Sequence, residues 1–163
     1  MECTKQEQVL PISREEAWDF FSRPENLDKI TPAEMGFSTI SAPEGQVYPG
    51  AIIIHHVKLA PAIKMKWVTE IKAVDPGFSF VDEQRYGPFG FWHHRHSFHE
   101  HQDGCLIRDL VHWKLPLEPF SLPVKALFVK KQVYDLFSHR KTVLDEYFAK
   151  TASKDRGREG EQS

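Results

Sequence analysis

The sequence predicts an α+β domain in which a curved antiparallel sheet of about seven strands wraps round one long C-terminal helix. Two short helices are expected after the first strand. Three observations carry this. Ser13 and Glu16 form a capping box ahead of a short helical apolar pattern. From about residue 37 to residue 115 the apolar period is two, broken only by turn residues. From Lys125 to Lys150 an apolar stripe recurs at helical spacing with no glycine or proline to interrupt it.

The first strand is read over Glu7–Ile12, a short and partly apolar run. Ala17, Phe20 and Phe21, with Trp18 beside them, then keep helical spacing up to Pro24. A second short helix fits Pro24–Ile30, since proline is tolerated in a first turn, and Pro32 ends it. Six strands follow: Phe37–Ile40, Ala51–Leu59, Ile63–Val74, Ser79–Arg85, Phe91–His101 and Cys105–Leu115. The breaks between them are turn chemistry, namely Pro43 to Gly45, Pro49-Gly50, Pro61, Pro76-Gly77, Gly87-Pro88 and Asp103-Gly104. Such short connections join antiparallel neighbours, because parallel strands need long crossovers. Ser121 is placed to cap the last helix, with Pro123 in its first turn. Leu127, Val133, Phe137, Leu144 and Phe148 mark its apolar face, and its length is about 40 Å at ~1.5 Å per residue. Residues 1–150 read as one domain, and Thr151 to Ser163, with nothing to bury, as a disordered tail.

A chain of 163 residues is long enough to bury a core without disulfides or metal. Its 27% charged and 40% hydrophobic residues are the balance of a globular protein. The formal net charge of -2 lacks the basic footprint of a nucleic-acid binder. Cys3 and Cys105 lie far apart, fit no metal or redox spacing, and suit a reducing compartment. The N-terminal MECTKQEQV has no apolar signal core, and no apolar run approaches the ~20 residues of a membrane span. The expectation is a cytoplasmic protein.

Strand alternation sorts the candidate site residues. Trp92, His94, His96 and Phe98 share one face of their strand, Asp82 and Gln84 one face of the strand before, and Asp109 and Trp113 one face of the strand after. Charged Arg108 and Lys114 on the opposite side make this the inward face. Three readings fit the polar members of the set. They form a buried hydrogen-bond network, Asp82 to His94 and Asp109 to His96, that fixes strand register. They form the polar patch of a ligand cavity. Or His94 and His96, at His-x-His spacing, ligate a metal with a nearby carboxylate. The first two are compatible, and no metal or cofactor is assigned. His93, His99, His101, His55 and His56 are read as solvated strand-surface residues. Arg140 is read either as a pocket cation or as the salt-bridge partner of Asp82 or Asp109. Gly87-Pro88-Phe89-Gly90 lacks the strand-then-helix context of a phosphate loop and is read as a tight turn over a cavity mouth. No Ser/His/Asp or Cys/His nucleophile set is present in the pattern.

Four stretches, PISREEAWDFFSRPENLDKITP, FVDEQRYGPFGFWHHRHSF, IRDLVHWKLP and FSHR, resemble the START/Bet v 1-like (SRPBCC) superfamily, and within it the small bacterial ligand-binding SRPBCC domain proteins. A related module is found fused to sugar-nucleotide-epimerase-like domains. The resemblance spans Gln6 to Lys150. Asp82, Gln84, Trp92, His94, His96, Phe98, Asp109 and Arg140 stand where that pattern expects them, whereas His112 stands where a tyrosine is commoner. The resemblance implies a helix-grip fold enclosing a hydrophobic cavity, in a superfamily that hosts carriers, cyclases and hydrolases alike.

The expected function is therefore binding of a hydrophobic or amphipathic small molecule between sheet and C-terminal helix. Asp82, Gln84, Trp92, His94, His96, Phe98, Asp109, Trp113, Phe137 and Arg140 are the expected ligand-binding residues. The alternative is an enzyme of the cyclase, dehydratase or hydrolase kind. His94 or His96 would then be the general base and Asp82 or Asp109 the orienting carboxylate.

Overall fold

The computed structural model describes residues 1–31, 37–60, 63–116 and 123–159. In chain order these form β1 (Glu2–Leu10), α1 (Arg14–Phe21), a 3-10 helix (Pro24–Ile30), β2 (Ser38–Ser41), β3 (Ile52–Ala60), β4 (Ile63–Asp75), β5 (Ser79–Tyr86), β6 (Phe91–His101), β7 (Gly104–Lys114) and α2 (Pro123–Glu159). The seven strands make one sheet in the order β1-β7-β6-β5-β4-β3-β2. Every pairing is antiparallel.

Local chemistry explains the boundaries. Ser13 Oγ accepts from the Glu16 amide at 3.1 Å and the Ser13 amide donates to Glu16 Oε2 at 2.7 Å, so the capping box starts α1 as expected. The Pro24–Ile30 segment is helical but wound as 3-10, with Pro24 in its first turn. β1 begins at Glu2, well before the apolar signal at Glu7. Its inner-face positions carry Thr4 and Gln8, and pairing with β7 from Glu2↔Trp113 to Leu10↔Cys105 supplies what hydrophobic alternation does not. Gly104 opens β7 at φ 132, and a Cβ there would collide with the Leu10 carbonyl. Register irregularities between β4 and β5, at Val68/Thr69 and Ile71/Ala73, are the kind of defect that bends a sheet. The helix α2 continues to Glu159, beyond the Lys150 boundary read from the sequence, while its expected cap Ser121 lies outside the described residues. Among the described residues no helix is long and apolar enough to cross a membrane.

The core divides into two clusters, and α2 contributes to both. In the first, Trp18 of α1 meets Phe80 and Phe98 edge-on, with ring centroids 6.2 and 6.0 Å away. Leu144 and Phe148 of α2 belong to the same cluster. In the second, Val133 and Phe137 of α2 join Trp92, Val111, Trp113 and Leu115. Arg140 lies between these two apolar patches on one helical face. Polar bonds tie α2 to the β1 edge. Gln8 Nε2 donates to the Lys141 carbonyl at 2.9 Å and to Asp145 Oδ1 at 2.8 Å, and Lys130 Nζ pairs with Glu2 Oε2 at 2.9 Å.

Gln8→Ala removes both bonds from a buried side chain. The expected loss is about 1–2 kcal/mol of unfolding free energy, read as a lower urea midpoint with an unchanged slope. An unchanged midpoint would mean that α2 is held by its apolar contacts alone.

Candidate functional site

A cavity of about 1190 Å³ lies between the sheet and α2. Phe20, Ile53, Ile71 and Leu144 of the first cluster and Trp92, Leu115, Val133 and Phe137 of the second line it. The β5–β6 turn contributes Pro88 and Phe89, so this turn borders the cavity as the sequence suggested. Polar lining comes chiefly from Asp82, His94, His96 and Asp109 on β5, β6 and β7, from His55 and Thr69 on β3 and β4, and from Arg140 on α2.

The four central residues form one hydrogen-bonded group. Asp82 is the cross-strand partner of His94, and Asp109 that of His96. The hydrogen bonds nevertheless run diagonally. His94 Nε2 bonds Asp109 Oδ1 at 2.9 Å and His96 Nε2 bonds Asp82 Oδ2 at 3.0 Å. This corrects the expected pairing of Asp82 with His94 and Asp109 with His96. The expected pairs remain as close contacts: His94 Nδ1 lies 3.4 Å from Asp82 Oδ2, and His96 Nδ1 lies 2.9 Å from Asp109 Oδ1 without hydrogen-bond alignment. The two imidazoles lie close together, centroids 3.7 Å apart and planes tilted by 40°, and Phe80 stacks on His96 at 4.2 Å.

This arrangement separates the two histidines electrostatically. Burial alone would lower the His96 pKa, but contact with Asp109 and Asp82 overcomes it and raises the value to about 9. His94 is lowered, by burial first and by the neighbouring His96 charge second, against the pull of Asp82 and Asp109. Burial would raise both carboxylates, and the histidines reverse this, so Asp82 and Asp109 lie below the usual carboxylate range. Near neutral pH the group is thus Asp82⁻, Asp109⁻, His96⁺ and neutral His94. Arg140 is half-buried, and its pKa is lowered by burial despite the attraction of Asp109 and Asp82. Among the described residues no ion pair or hydrogen bond engages it, and its Nε is buried without a partner. Its Cζ sits 5.8 Å from the Phe137 ring centroid.

Asp82, His94 and His96 present three ligand atoms within 4.8 Å of one another, which invites a metal. Ring geometry argues against one in this arrangement. Two imidazoles bound in-plane to one tetrahedral ion, with Zn–N near ~2.1 Å, place their centroids about 5 Å apart. Here they are 3.7 Å apart, as suits two rings that each bond a carboxylate.

Of the ten residues singled out from the sequence, Asp82, Trp92, His94, His96, Asp109, Phe137 and Arg140 line the cavity. Gln84, Phe98 and Trp113 do not, and each is occupied elsewhere. Gln84 clamps the β5–β6 turn, donating to the Phe89 carbonyl at 2.6 Å and accepting from its amide at 3.2 Å. Phe98 is packed under α1 and is 1% exposed. Trp113 is equally buried, with Nε1 donating to Thr4 Oγ1 at 3.2 Å. His55 corrects the reading of a solvated strand histidine. It is 3% exposed, lines the cavity and pairs with Thr39 Oγ1 at 3.2 Å. Burial lowers its pKa to about 4, so it is neutral at physiological pH. The signal was in the strand: Lys58 must point outward, which puts Val57, His55 and Ile53 inward.

No family profile and no curated protein matches this sequence. Solved structures match its fold. Ara h 8.0201 is 14% identical with a TM-score of 0.59, covering 88% of this chain and 97% of its own. The nucleoside-diphosphate sugar epimerase from Corynebacterium glutamicum is 24% identical over 88% of this chain, with a TM-score of 0.62; the match takes up 28% of the epimerase chain. The di-domain ARO/CYC StfQ from the steffimycin biosynthetic pathway is 7% identical over 93% of this chain, with a TM-score of 0.68, and the match takes up 51% of its length. The fold is the one these structures share, a helix-grip fold in which a curved antiparallel sheet holds a long C-terminal helix.

The His96 charge makes stability pH-dependent. Its folded pKa of about 9 lies above the unfolded value, so its contribution is full below about pH 6.5 and is lost as pH rises through about 9. Melting curves from pH 6 to 10 should therefore fall more steeply for the wild type than for His96→Gln. Nitrogen-resolved NMR of the imidazoles at pH 7.5 should find both His96 nitrogens protonated and only one of His94. A neutral His96 at that pH would contradict the charge assignment.

Proposed function

We propose that residues 1–150 act as one binding domain for a hydrophobic or amphipathic small molecule, held in the cavity between the sheet and α2. The cavity carries the proposal. Its volume of about 1190 Å³ exceeds any packing defect and suits a ligand-sized molecule. Aromatic and aliphatic side chains make most of its wall, and Asp82, His94, His96 and Asp109 form one bonded polar group on it, as in small-molecule sites generally. Asp82, His94, His96, Asp109 and Arg140 would orient the polar part of the ligand. Trp92, Phe137 and Trp67 would line its apolar part. The Bet v 1-like fold of Ara h 8.0201 adds a parallel at the level of architecture.

A second reading rests on the adjacent histidines. A neutral His94 held by Asp109, beside a protonated His96 held by Asp82, is a base next to an acid within one cavity. That arrangement suits proton transfer to and from an enolisable or dehydrating substrate, the chemistry of a cyclase or dehydratase. The fold likeness to an ARO/CYC protein is in keeping with it.

Native mass spectrometry of the gently purified protein should reveal a co-purified organic molecule. A ligand at a hundred times its Kd should add about 2.7 kcal/mol and raise the Tm by roughly 5–10 °C. An empty protein that no lipid, aromatic or polyketide-like compound stabilises would remove the binding reading.

For the catalytic reading, His94→Gln should lower kcat on any substrate turned over by about 10²–10⁴-fold with the fold intact by near-UV circular dichroism. Undiminished turnover in the folded variant would exclude His94 as the base.

A further inference from the structure

Three buried nitrogens on the cavity wall make no hydrogen bond among the described residues, and one of them, His96 Nδ1, lies 2.9 Å from Asp109 Oδ1. The other two are donors, Arg140 Nε on α2 and Trp67 Nε1 on β4. Neither side chain can change roles. A guanidinium and an indole N–H donate and never accept. Buried donors in folded proteins are almost always paired, so an unpaired one bordering a cavity marks where a ligand's acceptor belongs. The acceptors nearest in kind are already engaged. Each cluster carboxylate contacts both imidazoles, Asp109 through Oδ1 at 2.9 Å from each and Asp82 through Oδ2 at 3.0 and 3.4 Å. Among the described residues the contact given for Arg140 is the Phe137 ring, a weak partner for a half-buried cation.

The two donors are linked by a run of ring contacts along the wall. Trp67 meets Trp92 at 5.1 Å, Trp92 meets His94 at 6.1 Å, and His94 meets Phe137 at 5.6 Å, next to which Arg140 stands. A ligand that satisfies both donors would therefore lie along an aromatic surface, with an oxygen at each end of that stretch. We propose, taking the binding reading as its premise, that the ligand is an amphipathic carboxylic acid. Its carboxylate pairs with the Arg140 guanidinium, its apolar body lies on Trp92 and Phe137, and a second acceptor oxygen, where the molecule has one, takes the Trp67 indole N–H. Arginine matches a carboxylate with two parallel N–H···O bonds, a geometry that lysine cannot reproduce. The ionisable groups around the head are Asp82 on β5, His94 and His96 on β6, Asp109 on β7 and Arg140 on α2, and Arg140 is the cation among them that is not already bonded to Asp82 or Asp109.

Matched acids and esters test this. Binding of 2-naphthoate, 6-methoxy-2-naphthoate and dodecanoate is compared with that of their methyl esters by tryptophan fluorescence titration and by thermal shift, in the wild type, Arg140→Gln, Arg140→Lys and Trp67→Phe. Each acid should bind the wild type at least tenfold more tightly than its ester. Arg140→Gln should abolish that ratio by weakening the acids more than their esters, and Arg140→Lys should restore it only in part. Trp67→Phe should weaken the methoxy acid more than 2-naphthoate, which lacks the second oxygen, read by thermal shift. Equal binding of acid and ester by the wild type overturns the head-group assignment and leaves the cavity reading standing, whether or not the Arg140 variants fold. Binding of neither acid nor ester, with other apolar probes also excluded, overturns both.

Discussion

One helix has to cover one face of a seven-stranded sheet, and most of the architecture follows from that mismatch. Strands lie about 4.8 Å apart, so six intervals span roughly 29 Å, whereas a helix with its side chains is about 10–12 Å wide. A flat sheet would leave much of its apolar face in water. The sheet therefore bends, helped by the irregularities between β4 and β5, and α1 with the 3-10 helix closes one end. The helix α2 then touches the curved wall in two places, through Val133 and Phe137 and through Leu144 and Phe148. Gln8 and Lys130 hold it to the β1 edge rather than letting it sink to the floor of the sheet. What remains between the two contacts is the cavity, a consequence of geometry rather than a packing fault.

Placing charge beside such a space is costly unless the charges compensate. Asp82, Asp109, His96 and Arg140 sum to zero with His94 neutral, and the two carboxylates have their imidazole partners within 3.4 Å. Removing one partner leaves a buried charge uncompensated, at a cost of about 3–5 kcal/mol. The group therefore behaves as a unit, and it ties three adjacent strands together. A one-residue slip of β5 or β7 against β6 would turn a carboxylate to the outer face and leave a histidine unpaired. A structural role for the cluster and a role in the cavity are thus compatible, because the residues that fix register also form part of the cavity wall.

The strands and helices were legible because their periodicities are strong: β6 occupies Phe91–His101 as read, and Ser13 caps α1. The inward face of β5, β6 and β7 was legible because Arg108 and Lys114 set its phase. Other features depend on tertiary context. β1 is polar where it pairs, so its first residues carry no hydrophobic signal. His55 sits in a run with apolar residues on both faces, and only Lys58 breaks the tie. Gln84, Phe98 and Trp113 have the right phase for the cavity but the wrong position along the strand, since alternation tells which face a residue takes and not how far along that face the cavity extends. Phe98 falls beneath α1, Trp113 reaches β1, and Gln84 turns to the backbone of Phe89.

The crossing of the hydrogen bonds has the same origin and a chemical consequence. Inward residues two apart on a strand are neighbours on one face, so the His94 and His96 rings lean together until their centroids are 3.7 Å apart. Leaning carries each nitrogen past its direct partner to the carboxylate beyond. Two imidazolium ions at that separation would repel strongly in a dry site, so the pair holds one excess proton more readily than two. The titration then belongs to the pair and its carboxylates together, not to either histidine alone. Any oxygen that enters the cavity beside this group alters the balance between His94 and His96. A binding protein would show this as ligand affinity coupled to pH. In an enzyme the same coupling would be the means of moving the proton.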